Sequence, residues 1–219
     1  MKGLTARFPN RLLIQPIAAC PKLRSAPVMD GQLEEGARQL PFLGELEGAE
    51  AFADVFVGWW DGGLYVAAQV RKTGPIAINR QRPLQNDCVV VLVNTSPDAS
   101  QRRPTHRCFQ FIALPRGGGA TRMEPVAWQE FFRLGPAQRL ARRTELRVAA
   151  SESRSGYLLE LAIGSRALGD AELATGLVLG FECFINDTQQ GAQTWSAPDD
   201  APVFDIPSLW GLLQLTGAG

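Results

Sequence analysis

Four cysteines, one histidine and a run of arginines are the side chains from which chemistry could be built in this chain. Cys20, Cys88, Cys108 and Cys183 are far apart and include no C-x-x-C pair, so a zinc site is not expected. Cys88 opens one predicted strand and Cys108 the next. In an antiparallel pair those positions lie at opposite ends, which argues against a disulfide between them. Buried free thiols are the expectation and suit a reducing compartment, and without a convincing signal peptide a cytoplasmic location is the expectation. His106 stands alone, so a mechanism needing two histidines is excluded. Ser151, Ser153 and Ser155 have no histidine base nearby in sequence, and nucleophile elbows and H-E-x-x-H are absent. Asp199, Asp200 and Asp205 carry oxygens of the kind calcium takes, but without tight spacing they read as a solvated loop. Gly117-Gly118-Gly119 lacks the Lys-Ser/Thr of a phosphate loop and reads as a turn. These residue types point away from an enzyme, a metal or another cofactor.

The arginines are the exception to an even distribution. Between Gln101 and Arg147 there are ten of them against Glu124, Glu130 and Glu145, a net charge of +7. The whole chain has a formal charge of zero, so no global field argues for nucleic acid or a membrane surface. The arginine window reads either as a solvated insertion, about residues 115–147, or as a patch for an acidic protein partner.

The elements that must position these groups begin with a β-hairpin, Ala53 to Arg71. Val55, Val57 and Trp59 alternate with Phe56, Gly58 and Trp60; Leu64, Val66, Ala68 and Val70 alternate on the return arm. Asp61-Gly62-Gly63 between them suggests a turn with positive φ. Trp59 shares the row of Val55 and Val57 and is assigned to the core. Trp60 has the opposite parity and is the ring placed to meet a ligand, with Phe56 and Tyr65 on the same face. Further strands are expected at Leu12–Ala19, Asp87–Asn94, Arg107–Leu114, Glu145–Ala150, Tyr157–Ile163, Leu177–Ile185, Gln193–Ser196 and Trp210–Leu215. The N-terminal run Arg11–Cys20 superficially looks like a lipoprotein signal, but Gln15-Pro16 interrupts it and it reads as a strand. Glu34–Gln39 suits a short helical turn. Val126, Ala127, Phe131 and Leu134 fall at helical spacing and predict a helix over Glu124–Leu134, with Trp128 as its anchor. Nine or ten strands without regular βα alternation predict an all-β, jelly-roll-like antiparallel sandwich, one domain over 1–219, with one short helical insertion.

Six motifs in order resemble the family 9 carbohydrate-binding modules and their DOMON-like relatives, over about residues 26–216. They are APVMDGQLEE at Ala26–Glu35, the hairpin Val57–Val70, NDCVVVLVN at Asn86–Asn94, GYLLELAI at Gly156–Ile163, LGF…ND at Leu179–Asp187 and PSLWG at Pro207–Gly211. The resemblance implies an antiparallel β-sandwich and a saccharide ligand held between two aromatic rings. A sugar offers an apolar C–H face and a polar rim, which rings and hydrogen-bonding side chains satisfy. One ring of that pair maps to Leu84, the acidic sugar contact to Val90, the Arg and Asn contacts to Ile112 and Leu114, and the second ring near Phe204. Only Phe204 keeps suitable chemistry. The candidate ligand residues are therefore Phe204, Trp60, Leu84, Gln85, Asn86 and Gln110. Some DOMON relatives hold haem, but Met29, Met123, His106, Lys22 and Lys72 fall in no matching motif, and no cofactor is expected. Two readings stay open: a non-catalytic carbohydrate-binding module with a diverged site, and a structural or protein-interaction sandwich using its arginines on an acidic partner.

Overall fold

A computed structural model describes Arg11 and residues 14–218. Twelve strands, numbered β1–β12 in chain order, form two facing sheets among the described residues. The larger sheet runs β1 (Ile17–Pro21), β12 (Gly211–Thr216), β10 (Val178–Asp187), β5 (Cys88–Asn94), β6 (Cys108–Gly118) and β7 (Glu124–Glu130), with β11 (Gly191–Thr194) paired to β10. The smaller sheet runs β2 (Arg38–Gln39), β3 (Ala53–Trp60), β4 (Gly63–Arg71), β9 (Gly156–Gly164) and β8 (Leu146–Ser153). All pairings between these strands are antiparallel but one among the described residues: β1 lies parallel to β12, Ile17 opposite Leu212. These strands come from opposite ends of the chain, so no short connection dictates their sense.

The alternation of the hairpin places its rows as expected. Val55, Val57, Trp59, Leu64, Val66, Ala68 and Val70 meet Val91, Val93, Phe111, Phe181 and Leu213 between the sheets. The turn differs from expectation. Neither Gly62 nor Gly63 takes a positive φ. Gly63 is needed for close approach instead: a Cβ there would stand 2.1 Å from the Ile163 carbonyl oxygen on β9.

Two further layers cover the outer faces. On the smaller sheet, Leu23, Tyr65 and Ala67 pack with Phe56, Trp60 and Leu158 beneath the segment that follows β1. The Tyr65 hydroxyl donates to Glu160 (2.8 Å), and the other Glu160 oxygen accepts the Gly31 amide (2.7 Å). On the larger sheet, Val90, Leu92, Ile112 and Leu114 lie under Phe132, Val203 and Trp210. β5 is consequently buried on both faces, which is why its sequence is a continuous apolar run.

The predicted helix over Glu124–Leu134 is absent. Glu124–Glu130 is β7, the edge of the larger sheet, with Ile112 opposite Trp128. Val126 and Trp128 pack on the outer layer and Ala127 on the inner one. An edge strand covered on both sides carries apolar residues at neighbouring positions, and that mimics a helical stripe. Glu34–Gln39 likewise forms no helix; it ends in the two-residue β2. The first strand begins at Ile17 rather than Leu12, and Leu12 and Leu13 lie outside the described residues. No helix among the described residues is long and apolar enough to cross a membrane.

Candidate functional site

The residues proposed from sequence fall on two opposite outer faces. Leu84, Gln85 and Asn86 belong to the turn before β5, and Gln110 and Phe204 lie on the outer side of the larger sheet. Trp60 is on the outer side of the smaller sheet, so it does not join the others in one site. Leu84 and Gln85 are exposed. Asn86 is tied into its turn: its side-chain amide donates to the Arg82 carbonyl (2.9 Å), and its carbonyl accepts from Asn186 (2.8 Å). Phe204 sits edge-on to Phe184, ring centroids 5.2 Å apart. Val90, Ile112 and Leu114 are buried. The face to which the sugar contacts map is therefore filled with side chains.

The segment 195–210 that fills it is held by a buried carboxylate. Glu182 projects from β10 and accepts the amides of Trp195 (2.7 Å), Ser196 (3.1 Å) and Ala197 (3.0 Å), plus the Ser196 hydroxyl. Burial pushes the Glu182 carboxyl up, against the opposing effect of those donors. Trp210 completes the cover, stacking on Phe132 at 6.0 Å and donating its indole N–H to the Val203 carbonyl (2.7 Å). A second charged cluster closes the end of the sandwich. Lys72 Nζ lies 2.9 Å from Asp187 and 3.2 Å from Asp87, all three side chains shielded from water. Burial would raise the Asp187 carboxyl, but Lys72 and the amides of Gln189 and Gln190 hold it below its ordinary value. Both clusters have their donors and acceptors matched internally and serve the fold.

The thiols agree with their sequence reading. Cys20, Cys88, Cys108 and Cys183 are free and buried, and burial pushes the Cys88 thiol up to about 12. Asp199 accepts from Thr194 and Asp205 pairs with Arg133, so these carboxylates are engaged within the fold. Among the described residues no group of three His, Cys, Asp or Glu side chains is placed to hold a metal.

Open space lies elsewhere. The free edges of the two sheets, β7 and β8, run side by side and leave a groove of about 730 Å³. Half-buried Trp128 forms part of its wall, with the Arg80 guanidinium 5.7 Å from the ring centroid. Arg143 and Arg147 line it from the other sheet. A smaller cavity of about 340 Å³ adjoins through Arg147 and is lined by Trp60, Arg142 and Arg166. Sequence reasoning did not find this groove, because it placed Trp128 on a helix and left Arg80 unremarked. The signal it had was the excess of arginine.

That excess is only partly neutralised. Arg116, Arg133 and Arg139 pair with Glu152, Asp205 and Glu145. Arg102, Arg103 and Arg107 precede β6 and Arg122 follows it, while Arg142, Arg143 and Arg147 flank the start of β8.

Comparison with known proteins bears on this geometry. The family described as carbohydrate family 9 binding domain-like matches residues 42–218. A family 9 carbohydrate-binding module from Caldicellulosiruptor kristjanssonii, solved in complex with cellotriose, has the same fold at a TM-score of 0.64 and 16% identity, covering 92% of this chain and 95% of that one. Its structure in complex with glucose gives 0.66 and 17%, covering 92% and 97%. A third structure, from Bacteroides uniformis ATCC 8492, gives 0.60 and 13%, covering 92% and 100%. No curated protein sequence matches the chain.

Proposed function

Because this chain belongs to the carbohydrate family 9 binding domain-like family, we propose that it is a non-catalytic saccharide-binding module whose ligand contacts have left the face where the sequence resemblance maps them. The filled outer face of the larger sheet carries this reading. Val90, Ile112 and Leu114 are sealed under segment 195–210, and apolar side chains give a buried sugar hydroxyl no partner. Leu84 is exposed but aliphatic, and it offers no aromatic face for a sugar ring to stack on. The absence of a nucleophile–base pair in the sequence supports a binding role rather than catalysis, His106 being the one histidine and exposed. The complexes of the Caldicellulosiruptor module with cellotriose and glucose support a saccharide as the ligand class.

Glycan-array screening followed by isothermal titration tests this. At least one oligosaccharide is expected to bind and to be recovered uncleaved after prolonged incubation. Leu84→Ala and Gln85→Ala, both at exposed positions, are expected to leave that binding unchanged. No binding of any saccharide at millimolar concentration would remove the reading. Loss of binding in either variant would return the ligand to the mapped face.

An acidic protein partner is the second reading, favoured by arginines that have no carboxylate partner among the described residues. They stand at both ends of β6 and at the start of β8, so no single flat face gathers them. The carboxylate of a smaller ligand suits their placement better.

A further inference from the structure

We propose that the groove between β7 and β8 binds an anionic saccharide, a chain carrying carboxylate or sulfate groups, with Arg80, Arg143 and Arg147 as its charge-reading residues. This rests on the saccharide-binding reading above and adds the ligand's class and place. No carboxylate among the described residues lies within 4 Å of those three guanidiniums. Glu124 is the single acidic residue in the lining. The adjoining cavity repeats the pattern with Arg142 and Arg166, and its one acid, Glu145, is already engaged by Arg139 (2.9 Å) and by the Arg142 amide (2.9 Å). In a chain of zero net charge this is a local excess of positive charge.

The walls fit a sugar as well as an anion. Trp128, Val126 and Ala127 give the large groove an apolar side against which C–H faces can lie, and Trp60 does the same in the smaller cavity. Guanidinium groups present paired N–H donors that match a carboxylate or sulfate in two parallel bonds, and they also donate to neutral hydroxyls. Arg147 lines both cavities and so makes them continuous. Two other cavities among the described residues lack this combination. The one beside β1 and β2 sets Arg38 against Glu45 and Asp54, and the one beside Lys72 holds Arg116 already paired with Glu152.

The test titrates the full chain with a neutral cello-oligosaccharide, an oligogalacturonate of equal length, a sulfated oligosaccharide and a poly-glutamate peptide, at low and at raised salt. The galacturonate or the sulfated chain is expected to bind at least about ten-fold more tightly than the neutral one at low salt, since charge-assisted bonds exceed neutral ones by roughly that factor. Which of the two binds better identifies carboxylate or sulfate as the group recognised. R143Q/R147Q is expected to remove that preference, and W128A to weaken the neutral and acidic sugars alike. R102Q/R103Q, away from the groove, is expected to change neither. Thermal melting of each variant confirms folding. Equal binding of neutral and acidic sugars would overturn the anionic assignment and leave the saccharide-binding reading standing. Poly-glutamate binding as tightly as the acidic sugar would overturn it in favour of a protein partner. Failure of every saccharide would remove the parent reading.

Discussion

Removing the ammonium of Lys72 would leave two carboxylates without a cation in a site closed to water. Lys72→Met is expected to cost about 3–5 kcal/mol at pH 7, the range for breaking one side of a buried ion pair, measured by urea unfolding. The pH dependence follows in sign. In the native protein Asp187 titrates below its ordinary value, so its contribution is full above about pH 4 and is lost as pH falls through the lower folded value. The Lys72 ammonium is raised: burial opposes its charge, and the bonds to Asp187 and Asp87 overcome that. Its contribution is therefore lost only as pH rises through that raised value. In the methionine variant the stranded Asp187 carboxylate prefers its proton, so the deficit against wild type narrows as pH falls toward and through the ordinary carboxylate range. A deficit that does not change with pH would contradict this account. Val90 makes the complementary case. Val90→Glu returns an acidic group to a position the family resemblance assigns to sugar contact, but places it under Phe184, Phe204 and Trp210. It is expected to lower stability by several kcal/mol and to create no new sugar affinity by titration, because a lone buried charge costs far more than it returns. Residues of this kind were legible as motifs, not as roles. Gly31, Glu160, Asp87 and Asp187 carry the family resemblance, and in this molecule they tie loops to sheets.

At the level of elements, the β8–β9 hairpin depends on one backbone approach. Gly156 has a φ of 140°, and a Cβ there would sit 1.8 Å from the Val70 carbonyl oxygen. The adjacent Ser155 carbonyl accepts the Lys72 amide at 2.9 Å, so the same turn orients the lysine of the buried cluster. Gly156→Ala is expected to cost more than about 1 kcal/mol, the usual penalty of a residue forced into a left-handed or crowded position, and to lower the melting temperature. An unchanged melting temperature would mean that β4 and β9 separate without cost. Most strands could be read from period-2 alternation or from an apolar run. β7 could not, because being covered on both sides erased its alternation: Val126 and Ala127 are adjacent in sequence yet serve different layers. With β7 misplaced, the groove beside it was invisible, since a cleft between two sheet edges exists only once both edges are known. The turn at Asp61-Gly62 was legible as a turn, but the reason for Gly63 lies on β9, a hundred residues away in sequence.

For the molecule as a whole, two stacked apolar layers share the larger sheet. Cys20 and Cys183 face the layer between the sheets, and Cys88 and Cys108 face the outer one. The four thiols thus report separately on the two layers. All four are expected to resist a thiol reagent such as DTNB in the native protein, burial both hiding them and holding them protonated. Glu182→Gln weakens the carboxylate that gathers the amides of residues 195–197. It is expected to speed labelling of Cys88 and Cys108 while Cys20 and Cys183 stay slow, the ratio being read by mass spectrometry of the labelled peptides. Uniform acceleration would show that the outer layer does not open on its own. The same layering sets the order in which backbone amides meet solvent. β5 is flanked by β10 and β6 within the sheet and covered above and below. No partial opening at one sheet edge reaches it, so its deuterium uptake should report the free energy of complete unfolding, while β7 and β8 exchange earlier through local fluctuations. The most slowly exchanging segment of the chain would then be the one whose sequence, DCVVVLVN, has the least polarity to spare.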